Sequence, residues 1–158
     1  MKRRLIVLML GAYSACALAG DGREIPFIEL HRGWHSGVNH TSIVQIHNQA
    51  SWEELWLTSP DGDTSTTGAP AVDFDTHFVV AFYLGSRPTG GHSVDITQID
   101  AAAGKGTLQV TETTPGQGCV VTTAVASPYH IVAVEKQAEW IPLDFSLTRT
   151  VHECRSGT

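Results

Sequence analysis

The segment Phe78-Val79-Val80-Ala81-Phe82-Tyr83-Leu84-Gly85-Ser86-Arg87-Pro88-Thr89-Gly90-Gly91-His92-Ser93-Val94-Asp95-Ile96 joins two strand patterns through a glycine-rich turn. Its first seven residues are apolar without a break and rich in β-branched and aromatic side chains, as a buried strand requires. From His92 polar and apolar residues alternate, as in a strand with one wet face. Between the two, Pro88 fixes one φ angle and Gly85, Gly90 and Gly91 can take positive φ. A constrained loop held between strands is a natural place for function, so Arg87, Pro88, Thr89, Gly90, Gly91 and His92 are the first candidates for binding contact. The competing reading is a hairpin whose glycines serve turn geometry alone.

Downstream of this segment, turn signals recur at intervals near ten residues. Thr107 to Thr113 alternates cleanly, Thr114-Pro115-Gly116-Gln117-Gly118 breaks the chain, and Cys119 to Val125, Tyr129 to Val134 and Ile141 to Leu147 read as further strands. That rhythm predicts a mainly β fold, an antiparallel β sandwich or barrel-like arrangement, with an immunoglobulin-like version left open. Upstream, Pro26 to Leu30 predicts an edge strand with Pro26 at its start, and Ser42 to His47 predicts another. One short helix is expected near residues 50–57. Ser51 and Glu54 are spaced for a capping box, while Trp52, Leu55 and Trp56 form one apolar stripe that should face the core. Asp61 to Pro70 reads as a polar connector.

The chain has 158 residues, enough for a single core, and carries a formal net charge of −6. Lys2-Arg3-Arg4, the apolar run from Leu5 and Ala17-Leu18-Ala19 read as a signal peptide over residues 1–19, its apolar part too short for a permanent anchor. The expected location is therefore exported, periplasmic or secreted. Cys16 offers an alternative as the lipid-modified residue of a lipoprotein, the one route to a membrane. Loss of the leader would make the protein more acidic still, which disfavours nucleic acid and anionic membranes as partners. The remaining cysteines, Cys119 and Cys154, suit a disulfide in an oxidising compartment. Such a bridge closes a loop of about 36 residues and is worth roughly 3 to 4 kcal/mol in the chain-entropy model. Residues 20–71 are read as strands, helix and connector of the same domain as 72–150, with 151–158 as a C-terminal tail.

Eight histidines invite a search for a metal site. His31 and His35 are four apart, but Gly33 and Gly37 argue against a helix, and in a strand the pair would stand about 13 Å apart, too far to share a zinc ion. Gly33-Trp34-His35-Ser36-Gly37 resembles a nucleophile elbow only superficially, because Trp34 stands where the first glycine is needed. No phosphate loop, dinucleotide fingerprint or paired carboxylates appear. The reading is of a non-enzyme without cofactor or metal, a hydrolase with an unrecognised site being the weaker alternative. A second turn at Ser127-Pro128-Tyr129 adds Pro128 and Tyr129 as candidates, with a core ring the preferred role for Tyr129.

Two ordered blocks resemble a known family. Val72-Asp73-Phe74, the strand Phe78 to Leu84 and Gly85 through Val94 form the first. Thr114 through Thr122 followed by Ser127 through Val134 forms the second. Over about Val72 to Lys136 they are similar to the PrcB C-terminal domain, with a departure at His92, where that family usually carries an aromatic ring. The resemblance implies an exported, non-enzymatic β domain acting as an accessory or stabilising subunit of a protease complex, with an exported protease as partner. Pro88-Thr89-Gly90-Gly91 is also faintly similar to a loop of chagasin-type cysteine-protease inhibitors, which implies an alternative, direct inhibition through Arg87 to Gly91. Arg87 and Gly90 depart from that second pattern.

Overall fold

The computed structural model describes residues 22–58, 68–137 and 141–154. Residues 1–21, with the expected leader and Cys16, and residues 61–67 of the polar connector lie outside the described residues. In chain order the elements are β1 (Arg23–Glu24), β2 (Phe27–Gly33), β3 (Ser42–Ile46), α1 (Gln49–Thr58), β4 (His77–Tyr83), β5 (Ser93–Ala102), β6 (Lys105–Pro115), β7 (Tyr129–Glu135) and β8 (Leu143–His152). They make two four-stranded sheets, ordered β1-β5-β6-β8 and β2-β7-β4-β3. The expected mainly β sandwich is thus present, and strands from both sides of the polar connector share one sheet.

The apolar run of β4 is explained by a third layer. Phe78, Val80, Phe82 and Leu84 join Val132 and Val134 of β7 against Val94, Ile96, Ile99, Leu108 and Val110 of the facing sheet. Val79, Ala81 and Tyr83 point the other way and pack with Tyr129, Ile131, Trp52 and Trp56. Helix α1 therefore covers the outer face of the second sheet, and both tryptophans are buried as their spacing predicts. A strand covered on both faces has no need to alternate, hence the unbroken run.

Three expectations are corrected. Asn48, not Ser51, caps α1: its Oδ1 accepts from Ser51 N at 2.9 Å, so the helix begins two residues before the proposed capping box. Residues 119–125 form no strand, because Gly90 N takes the Thr122 carbonyl and Cys119 is tied to Cys154, leaving isolated bridges only at Ala126 and Ser127. Finally, β8 pairs parallel to β6, in continuous register from Leu143 against Gly106 to His152 against Pro115. The first sheet is accordingly not wholly antiparallel, and the strand runs beyond the expected tail boundary at residue 151.

Two β-bulges set which side chains meet. In β2 the register shifts between Glu29 and His31, so Glu29 opposes Val132 while Arg32 opposes His130. One extra residue reverses the inward and outward phase, which lets Glu29 and Arg32, three apart, share a face. In β5 the shift between Ile96 and Gln98 does the same, so Ile96 and Ile99 both enter the core. The β5–β6 turn places Ala103 and Gly104 at φ 51° and 74°, the left-handed values of a two-residue hairpin.

Candidate protein-binding site

Three loops meet at one end of the sandwich. They are the β2–β3 loop from Trp34 to Thr41, the β4–β5 loop from Leu84 to His92, and the long β6–β7 loop from Gly116 to Pro128. Their contacts are mainly backbone. Arg87 and Ala126 exchange N–H to carbonyl bonds of 2.7 and 3.0 Å, Ser127 N donates to Trp34 O at 2.7 Å, and Ser36 N donates to Ser127 O at 3.0 Å. Ser86 Oγ reaches Asn39 Oδ1 at 2.9 Å and Thr41 Oγ1 donates to Leu84 O at 2.9 Å. Gly85, at φ 82°, sits so close to residues 39 and 40 that a Cβ would lie 3.0 Å from the His40 backbone carbon. Glycine is therefore required both by conformation and by the approach of a second backbone.

The three loops enclose a cleft of about 340 Å³ lined by Trp34, His35, Gly90, Gly91, Thr122, Ala124 and Ala126. Its walls are mostly small side chains and backbone, and a Cβ on Gly90 would fall 2.3 Å from Thr122 Oγ1. Trp34 of the cleft wall is 58% exposed, and Val125, between the lining residues Ala124 and Ala126 in sequence, is 62% exposed, apolar surface unlike that of an ordinary charged loop. Disulfide Cys119–Cys154, with Cα atoms 5.1 Å apart, anchors the long loop to the chain beyond β8. The bridge expected from the cysteine count is present.

The sequence candidates divide. Pro88 and Gly91 are exposed, while Thr89 and Gly90 are half-buried. Arg87 turns inward: its Nε donates to Glu112 Oε1 at 2.5 Å and its Nη1 reaches the carbonyls of Ser86 and Leu84 at 3.0 and 3.3 Å. Its guanidinium thus braces the loop and is withdrawn from the tip. His92 also turns inward and is half-buried, with Nδ1 3.8 Å from Glu112 Oε1. Pro128 and Tyr129 are buried and leave the contact surface, since Leu84 N binds the Pro128 carbonyl and the Tyr129 ring stacks 6.1 Å from Tyr83. Tyr129 takes the core role preferred from sequence.

Glu112 was not among the sequence candidates. It lies on β6 in phase with Leu108 and Val110, only 2% exposed, and receives Arg87 on Oε1 and Arg149 Nε on Oε2 at 2.9 Å. Burial alone would raise its carboxyl, but the hydrogen bonds from Arg87 and Arg149 outweigh this and hold it below the usual range. The signal that could have found it is an acidic residue in the apolar phase of Leu108-x-Val110-x-Glu112, which demands a buried cation. Burial lowers the His92 imidazole despite the nearby Glu112 carboxylate. Among the described residues no group of three His, Cys, Asp or Glu side chains is arranged to hold a metal. What this end of the molecule offers chemically is a braced, mostly apolar cleft whose shape is fixed by backbone contacts among three loops.

Residues 78–135 match the family described as PrcB C-terminal, in agreement with the resemblance read from the two sequence blocks. No curated protein matches the chain. No solved structure matches it either.

Proposed function

We propose, from the PrcB C-terminal domain at residues 78–135, that this protein is an exported, non-catalytic subunit of a protease complex. It would bind its protease through the three-loop end of the sandwich and stabilise or mature it. The observation that carries this reading is where the family match falls. It spans β4 to β7 and supplies Gly90, Gly91, Thr122, Ala124 and Ala126 to the cleft, while β2 and its loop add Trp34 and His35. The Cys119–Cys154 disulfide supports an oxidising location. The inward turn of Arg87 speaks against the alternative of direct inhibition through Arg87 to Gly91. An inhibitor would be left with the short apex Pro88 to Gly91 as its insertion element.

Affinity capture from an envelope extract tests the proposal. The wild-type protein should enrich a protease, and Trp34→Ala with Val125→Asp should lose it at least tenfold while the unfolding midpoint stays within a few degrees. Repeated capture without a protease, or retention of the protease by the double variant, overturns the binding reading. Complete inhibition of the captured enzyme would replace stabilisation by inhibition.

A further inference from the structure

The four outer edges of the two sheets are not protected alike. Strand β1 is two residues long, β2 carries a bulge and the charged pair Glu29 and Arg32, and β3 is five residues long. Each is a poor template for another strand. Strand β8 is different, with ten residues, no register shift, and no proline or lysine. Among the described residues it ends the first sheet.

Its free side can be read from the bonds it makes. Thr150 O accepts from Thr114 Oγ1 and His152 O accepts from Gly116 N, so the even-numbered peptide groups turn toward β6. By the two-residue period of a strand, Leu143, Phe145, Leu147, Arg149 and Val151 turn their N–H and C=O groups to the open side. The same residues form the inner row of side chains, since Arg149 reaches buried Glu112 and the Phe145 ring meets Phe82 at 5.2 Å. That row is incompletely covered: Phe145 is 36% and Val151 58% exposed.

We propose that β8 pairs antiparallel with β8 of a second copy of this chain, about a two-fold axis through Leu147. A two-fold that preserves the faces of both sheets must set residues of like parity opposite one another, which the open odd-numbered groups satisfy. In this register Leu147 meets its own copy, Leu143 covers Val151, and Phe145 lies opposite Arg149. On the outer face Ser146 meets Thr148 and Asp144 meets Thr150, so no like charges are opposed. Moving the axis to Ser146 would set Leu143 against Arg149 and leave Val151 without a partner in the strand. The two first sheets become one sheet of eight strands. One local bond competes: Asp144 Oδ1 accepts from Phe145 N at 2.8 Å and must yield it to the partner strand. Asp144 thereby limits the strength of the dimer.

Sedimentation of the purified protein over a range of concentrations tests this. The wild type should dimerise reversibly. Val151→Pro removes an outward N–H without touching a bond to β6 and should weaken the dimer at least tenfold, whereas Val151→Thr should leave it within threefold. Asp144→Ala should tighten it severalfold. Thermal unfolding confirms that each variant is folded. In the double variant Ser146→Cys with Thr148→Cys, added diamide should cross-link two chains through these facing positions. A wild type that stays monomeric at every concentration overturns the proposal, as does a dimer indifferent to Val151→Pro or one that fails to cross-link.

Discussion

Two ionic clusters of the sandwich are built on opposite terms. At the loop end, Glu112 is buried and held by two arginines, one of which, Arg87, has a side chain only 19% exposed. At the β2 corner, Arg32 holds Glu29 and reaches Asp95 at 2.6 Å with all three side chains substantially in water, while buried His130 stands behind them. Burial lowers the His130 imidazole, and its Nδ1 accepts from Ile96 N at 2.8 Å, so the ring is neutral with its other nitrogen facing Glu29. The first place keeps a charge inside by neutralising it. The second keeps charge outside and lets only a neutral ring in. Desolvation decides which of the two can be disturbed cheaply.

The largest effect is expected where the charge is buried. Glu112→Gln leaves the Arg87 guanidinium without its counter-charge and should cost about 3 to 5 kcal/mol in denaturant unfolding. The double variant Arg87→Met with Glu112→Leu removes charge and partner together and should recover most of that loss. If the single variant costs under about 1 kcal/mol, this end is no different from a surface pair and the contrast fails. Acid acts in the same direction. The depressed Glu112 carboxyl contributes stability that is complete above its unfolded value, near 4.3, and is lost as pH falls through the lower folded value.

The contrast also shows what could be read in advance. Phe78 to Leu84 announced itself because a strand between two layers is apolar at every position, and Trp52 and Trp56 did so because helix spacing puts them on one face. Cysteine count led to the disulfide. The two-fold-buried β7 was legible for the same reason as β4. The parallel pairing of β8 was not, because alternation fixes a strand's faces and says nothing of its neighbour's direction. Residues 119–125 misled because apolar and β-branched residues suit a strand, yet their backbone partners lie in another loop. Within the site, glycine and proline marked the loop correctly as constrained. They could not say that Arg87 faces inward, which depends on a carboxylate 25 residues away. The bulge at Ile96 did leave a trace, since the spacing Val94, Ile96, Ile99 breaks the strict alternation that a plain strand would keep.

A middle-sized effect is expected at His130. In His130→Phe the Ile96 N–H loses its buried acceptor, which should cost about 1 to 3 kcal/mol, whereas His130→Gln keeps an acceptor and should cost less. The wild-type ring also sets a pH dependence. Because burial lowers its folded pKa, the unfolded chain binds the proton first as pH drops below the usual value near 6.5. Stability from the neutral ring is therefore complete above about 6.5 and declines toward the folded value. His92, lowered in the same sense by burial, titrates alongside it. Unfolding measured between pH 7 and 5 should lose part of its slope in His130→Gln and the rest when His92→Asn is added. An unchanged slope in the double variant would assign the dependence to other groups.

The smallest effect belongs to Arg32, and its size is the other half of the contrast. Its side chain is 52% exposed, and Glu29 and Asp95 are 44% and 32% exposed. Water screens both pairs, so Arg32→Ala should cost at most about 1 kcal/mol, part of it lost packing of the side-chain stem. The cost should shrink further in 1 M salt, where the screening length falls to about 3 Å. Arg32 also opposes protonation of His130, while Glu29 and Asp95 favour it. Removing Arg32 should accordingly raise the His130 pKa toward its unfolded value and shrink the loss of stability between pH 7 and 5, even as stability at pH 7 hardly moves. Imidazole titration by NMR reads the first change and unfolding with and without salt reads the second. A loss at Arg32 comparable to that at Glu112, insensitive to salt, would mean that the corner is as dry as the loop end and that exposure does not distinguish them.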